Sequence, residues 1–166
     1  LVQSGQLANF SFGQGSLLAS PVQVAAMMNT IACGGVYRTP FFVEGTVDET
    51  DGTPLQTLAH RRARRIMTQE NAAALCSMLQ GVVQEGTGQD AAALEEGAGG
   101  KTGTAQTGQY DEAGEELLNY WFSGFYPADT PRYTITILQD GILKPDTSSA
   151  AIFAHVTELL DVWDGD

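Results

Sequence analysis

Apolar positions in this chain follow a helical period first and then, from Gly97 onward, an extended one. Val24, Met27, Met28 and Ile31 fall on one face of a 3.6-residue repeat, introduced by Ser20-Pro21 and stopped by Gly34-Gly35. Serine accepts a backbone N–H at a helix start and proline fits the first turn, so these signals predict a helix between them. Leu75, Met78, Leu79, Val82 and Val83 form a second stripe. Met67 leads into it, Thr68 can cap it, Glu70 suits its positive end and Gly86 ends it. Between the helices, Val36 to Val47 is strand-like and Asp51-Gly52 and Pro54 punctuate a hairpin or loop. The methionines read as core filler rather than ligands.

Beyond Gly97 three strands are predicted: Lys101 to Ala105, Tyr120 to Tyr126, and Arg132 to Gln139. In the last, Tyr133, Ile135 and Ile137 alternate with Thr134 and Thr136. Gln106 to Asn119, rich in glycine and acid, is expected to be the loop joining the first two, and Pro127 to Pro131 the turn into the third. Sequential strands with short links pair antiparallel most simply. A final helix from Ser149 carries Ile152, Val156, Leu159, Leu160 and Trp163 on the side expected to pack on the sheet. The fold class is therefore α+β, an antiparallel sheet flanked by helices.

The 166 residues suffice for one sizeable core, so one globular unit is expected. A net charge of −12 argues against nucleic acid and against an anionic membrane surface, both of which need clustered Lys and Arg. The one basic run, His60-Arg61-Arg62-Ala63-Arg64-Arg65, reads as a solvated strand or loop face. Cys33 and Cys76 lie in apolar helical patterns without metal-ligand spacing and read as small buried hydrophobes, with a disulfide between them left open. His60 and His155 have no partner spacing, and no metal or cofactor is expected. No stretch approaches the ~20 apolar residues of a membrane span. The start at Leu1-Val2-Gln3-Ser4 has no signal-peptide layout, and the chain is expected to be cut from something longer whose address is encoded upstream.

Candidate chemistry concentrates at Lys101-Thr102-Gly103-Thr104, which holds one of only two lysines in the chain. The ammonium brings a compact charge and three donors, each threonine an O–H, and the glycine lets a ligand lie against the backbone. Such an edge suits a carboxylate-bearing substrate. Glu95 to Thr102 also approaches a phosphate-binding loop, but Glu95 stands where that loop needs its first glycine. Gly103 and Gly108 oppose the helix that must open at Lys-Thr, and Glu95 and Glu96 would repel phosphate.

Ser11-Phe12-Gly13-Gln14-Gly15, Ser20-Pro21-Val22-Gln23, Gly86-Thr87-Gly88, Gly100 to Gln106 and Trp121 to Asp129 occur in that order. Together they resemble the penicillin-binding transpeptidases, specifically the class B enzymes that cross-link peptidoglycan in division, elongation or sporulation; Lys-Thr-Gly is a signature of that chemistry. The resemblance covers nearly the whole chain. It implies a β-lactamase/transpeptidase-like fold of which residues 1–166 are the C-terminal portion. It implies a serine nucleophile that attacks the penultimate D-alanyl carbonyl of a stem peptide, expels D-alanine and passes the acyl group to a neighbouring amine. β-Lactams imitate the D-Ala-D-Ala end. On this chain the resemblance assigns Lys101 to positive potential and proton movement, and the Thr102 and Thr104 hydroxyls to the substrate or antibiotic carboxylate. It makes the Thr104 N–H an oxyanion donor, keeps the strand open at Gly103 and puts Gln106 just past the lip.

The family's other two motifs are absent. The residues three before Lys101 and Lys144 are Ala98 and Gly141, so no Ser-x-x-Lys exists, and no serine has an asparagine two residues later. Both motifs lie upstream in the family, so the expected partners are the missing N-terminal part of the same domain, peptidoglycan stem peptides and β-lactams. The chain alone is expected to be inactive. The family's sheet adds N-terminal strands beside Arg132 to Gln139, so that edge is expected to be open to self-association. The expected location is the extracytoplasmic face of a bacterial membrane, with an upstream anchor. Two alternatives stand beside this: a serine β-lactamase fragment, and a non-catalytic sensor or binding module on the same fold.

Overall fold

The computed structural model describes residues 18–57, 62–92 and 96–164; Ser11 to Gly15 lie outside the described residues. Helix α1, Pro21–Ala32, starts at Ser20, whose Oγ accepts from Gln23 N while Gln23 Oε1 accepts from Ser20 N at 2.8 Å. This reciprocal cap satisfies donors that the first helical turn leaves open. Strand β1, Val36–Arg38, pairs antiparallel with β4, Ala63–Arg65, so the described part of the basic run is an exposed strand. Strands β2, Gly45–Val47, and β3, Pro54–Thr57, form the small hairpin predicted around Asp51-Gly52. Helix α2, Gln69–Gln84, is capped by Thr68, whose Oγ1 accepts from Asn71 N at 3.2 Å.

The main sheet has the order β5-β6-β7, with β5 at Gly99–Tyr110, β6 at Glu116–Tyr126 and β7 at Tyr133–Ile142. Both pairings are antiparallel, and Thr102, Phe122 and Ile137 lie abreast. Helix α3, Ser149–Asp164, covers the Phe122 face, where the Phe122 and Phe153 rings are 4.8 Å apart at 59°. Val83, Ala91, Ala98, Tyr126 and Ala150 complete that core. Helix α1 packs against β6 and β7. Thr134, which borders it and pairs with Phe125, belongs to the opposite sheet face.

Three expectations are corrected. First, Gln106 to Asn119 is not a loop: β5 runs on to Tyr110 and β6 begins at Glu116. The turn is held by Asp111, whose Oδ1 accepts from Ala113 N at 2.9 Å and Glu115 N at 2.8 Å. Gly114 supplies the positive φ there.

Second, the predicted stripes face inward only in part: Val24, Ile31, Leu75, Leu79, Val82, Ile152, Val156 and Leu160 are half-buried, while small and polar residues take several of the fully buried positions. On α3 the buried row is Ala150, Phe153 and Thr157; one turn further the exposed Asp161 accepts from Tyr126 Oη at 2.6 and 2.7 Å. Leu159 and Trp163 consequently point outward. On α1, Ala26, Met28 and Thr30 are buried and Met27 is exposed; on α2, Ala72 and Val83 are buried and Met78 is exposed. Thr30 can take a buried position because its hydroxyl donates to Ala26 O at 2.7 Å.

Third, Cys33 is exposed, since it is the C-cap where α1 stops, and Cys76 is half-buried. Both thiols are free.

Candidate functional site

The candidate residues lie on the outer strand β5, which among the described residues pairs only with β6. Gly99 and Gly100 seat that strand against the aromatic core. Phe125 and Phe122 occupy the space where their side chains would be. Past these two positions the chain emerges from the core, so Lys101, Gly103 and Thr104 are exposed and Thr102 is half-buried.

The Lys101 side chain curls along the strand. Its Nζ donates to Thr102 O at 2.9 Å and to Thr102 Oγ1 at 3.2 Å. Lys101 and Thr102 are cross-strand partners of Ser123 and Phe122 respectively, so their Cβ atoms leave opposite faces and only the long lysine stem brings the ammonium back to the threonine.

Thr102 Oγ1 also lies 2.9 Å from Thr87 Oγ1. Thr87 follows α2 in a turn where Gly86 N and Gly88 N both donate to Val82 O, at 3.1 and 3.0 Å. Thr87, Asp90, Thr102, Thr104, Tyr120 and Ser148 line a groove of about 220 Å³ at this end of the sheet. Asp90 is engaged there by Ser148, whose Oγ donates to its carboxylate at 2.6 Å.

The structure thus brings Lys101, Thr102, Gly103 and Thr104 together at one accessible margin. Gln106 lies two residues beyond Thr104 and still within β5, which runs on past the expected strand end at Ala105. Its amide donates to Glu116 Oε2 at 2.8 Å, bracing the hairpin. Thr87 was not singled out as a site residue by the sequence. Its only local signal is the glycine on either side, and its partner is 15 residues away. No helix opens at Lys101-Thr102, so the phosphate-loop geometry is not formed.

No serine hydroxyl among the described residues bonds to Lys101. Ser123 pairs with Thr136, Ser148 with Asp90, and Ser149 donates to Tyr120 O at 2.9 Å.

Residues 3–158 match the penicillin-binding protein transpeptidase domain. The chain is 34% identical over 92% of its length to penicillin-binding protein PbpB of Mycolicibacterium smegmatis. It is 30% identical over 80% of its length to stage V sporulation protein D of Bacillus subtilis. It spans 25% and 20% of those two proteins. Among solved structures it is similar to penicillin-binding protein 3 of Mycobacterium tuberculosis in complex with aztreonam, with TM-score 0.81 and 29% identity. That likeness covers 97% of this chain and 38% of the other. It is also similar to the imipenem acyl-enzyme of penicillin-binding protein A from M. tuberculosis, with TM-score 0.80 and 25% identity over 95% of this chain and 34% of that one.

Proposed function

Because this chain belongs to the penicillin-binding protein transpeptidase family, we propose that residues 1–166 form the C-terminal part of a single transpeptidase domain. In this reading they supply the substrate-binding wall of a site whose serine comes from the preceding part of that domain. The reaction is acyl transfer from a D-Ala-D-Ala stem peptide to an amine of a neighbouring peptide, and β-lactams acylate the same serine. Two neighbours, one in complex with aztreonam and one an imipenem acyl-enzyme complex, support β-lactam recognition.

The observation that carries this reading is the Lys101–Thr102–Thr87 hydrogen-bond chain on an open strand margin. Lys101 supplies positive potential beside the incoming serine, and the Thr102 and Thr104 hydroxyls hold the carboxylate. The Thr104 N–H supplies an oxyanion donor next to them. Gly103 leaves the strand surface low enough for a ligand to lie along it, and Gln106 borders the ligand further along β5. The site works at the extracytoplasmic face of the membrane, held there by an upstream anchor.

The test is labelling with a fluorescent penicillin. The polypeptide that joins this chain to a Ser-x-x-Lys segment is expected to label, and Lys101→Ala is expected to slow labelling at least about 100-fold. Failure of the joined wild-type polypeptide to label would remove the reading.

A further inference from the structure

Thr102 Oγ1 has one proton and two lone pairs, and the surrounding bonds decide where that proton goes. Lys101 Nζ, which can only donate, takes one lone pair at 3.2 Å. Thr87 Oγ1, at 2.9 Å, can act in either sense. If Thr102 donated to Thr87, its remaining outward feature would be a lone pair, which repels a carboxylate. If Thr87 donates, both Thr102 lone pairs are filled and the Thr102 proton is the only group left to meet a ligand.

The turn holding Thr87 is built to keep this distance. A Cβ at Gly86 would lie 2.9 Å from both Val82 Cα and Val82 O, and one at Gly88 would lie 3.2 Å from Val82 Cγ1 and 3.3 Å from the Phe122 ring. Both flanking glycines are therefore pressed onto α2 and the core. Phe122 is also the cross-strand partner of Thr102, so one ring fixes the height of both hydroxyls.

We propose that Thr87 is a positioning residue: its hydroxyl donates to Thr102 Oγ1 and thereby commits the Thr102 proton to the carboxylate of the substrate or β-lactam. The proposal rests on the functional reading above.

The experiment uses the joined polypeptide carrying the serine, with two probes: a penicillin with its free carboxylate and the same penicillin as its methyl ester. Thr87→Val keeps the shape and removes the donor, while Thr87→Ser keeps the donor. For the free acid, Thr87→Val is expected to lower the acylation rate constant roughly tenfold, because the Thr102 hydroxyl loses the second donor that fixes its rotor toward the carboxylate, and Thr87→Ser to restore it. For the ester, wild type and Thr87→Val are expected to react alike, because no carboxylate awaits the Thr102 proton. Equal losses with both probes would make Thr87 merely structural and overturn the proposal, as would a wild-type rate for Thr87→Val with the free acid. Should Thr87→Val unfold, Thr87→Ala carries the same two-probe comparison. A wild-type polypeptide that neither probe acylates would instead sink the functional reading, and this proposal with it.

Discussion

A Cβ at Gly100 would lie 2.5 Å from Phe122 Cζ, so the ring of Phe122 occupies the space a side chain at Gly100 would need. Ser123 O is 2.9 Å from the same point, and Phe122 is fully buried against Phe153. Neither a backbone oxygen nor a clamped ring can yield cheaply. Gly100→Ala is therefore expected to destabilise the chain by about 1–3 kcal/mol, read as a lower urea midpoint with an unchanged slope. Because Gly100 precedes Lys101, amide shifts at Lys101 and Thr102 should accompany the loss. An unchanged midpoint would show that β5 does not lie against Phe122.

The β5–β6 turn offers a second test. Asp111 accepts two backbone N–H groups, and Asp111 N donates to Glu115 O at 2.9 Å, closing the turn beyond Tyr110 and Glu116. Asp111→Ala removes both side-chain bonds, with an expected cost of about 1 kcal/mol. Hydrogen exchange should quicken at residues 107–117 and leave residues 120–126 protected, since the latter are anchored by the core.

That hairpin also shows where sequence reading stops. Gly108, Asp111 and Gly114 have loop composition, yet Gly108 sits in a register shift inside β5, where Thr107 Oγ1 donates to Leu117 O and the ladder resumes at Tyr110–Glu116. The helix starts were legible because Ser20 and Thr68 act locally on the next turn. The buried faces were less so: Thr30 and Thr157 are fully buried at positions that a count of apolar residues passes over. At the site, Lys101 to Thr104 was legible from residue chemistry alone, whereas Thr87 needed the fold to bring α2's end beside β5.

Tyr126 and Asp161 give the chain an alkaline limit. Burial, with the Asp161 carboxylate beside it, pushes the Tyr126 phenol up from its ordinary value near 10. The unfolded chain then loses this proton at a lower pH than the folded one. Stability from the pair is complete below about pH 10 and falls as pH rises above it. Tyr126→Phe is expected to cost about 1 kcal/mol at neutral pH and to flatten that alkaline fall, measured as urea midpoints from about pH 8 to about pH 11. A fall of equal steepness in the variant would assign it to other groups.

Strand β7 pairs with β6 on one side and with no strand on the other among the described residues. If the preceding part of the domain pairs there, the 166-residue chain alone presents an open ladder of backbone donors and acceptors. It is expected to self-associate as concentration rises. Sedimentation across a concentration series reads the association directly. A monomer at every concentration would mean that this edge is covered from within the chain.

The proposed split of the site between this chain and the preceding part of its domain bears on catalysis by the chain alone. Among the described serines, Ser148 and Ser149 are those beside the Thr102–Thr104 groove. Ser149 is buried and donates to Tyr120 O, while its Oγ accepts from Gln139 Nε2 at 3.0 Å. Ser148 accepts from Ala151 N at 3.1 Å as it caps α3 and gives its proton to Asp90. A carboxylate can draw that proton, but the capping role holds Oγ toward the helix, and no ammonium bonds to it to activate an attack. The chain by itself is expected to form no covalent adduct with a penicillin, measured by intact-protein mass after long incubation. An adduct mapped to Ser148 would give this groove a nucleophile of its own and displace the view that the serine arrives from the rest of the domain.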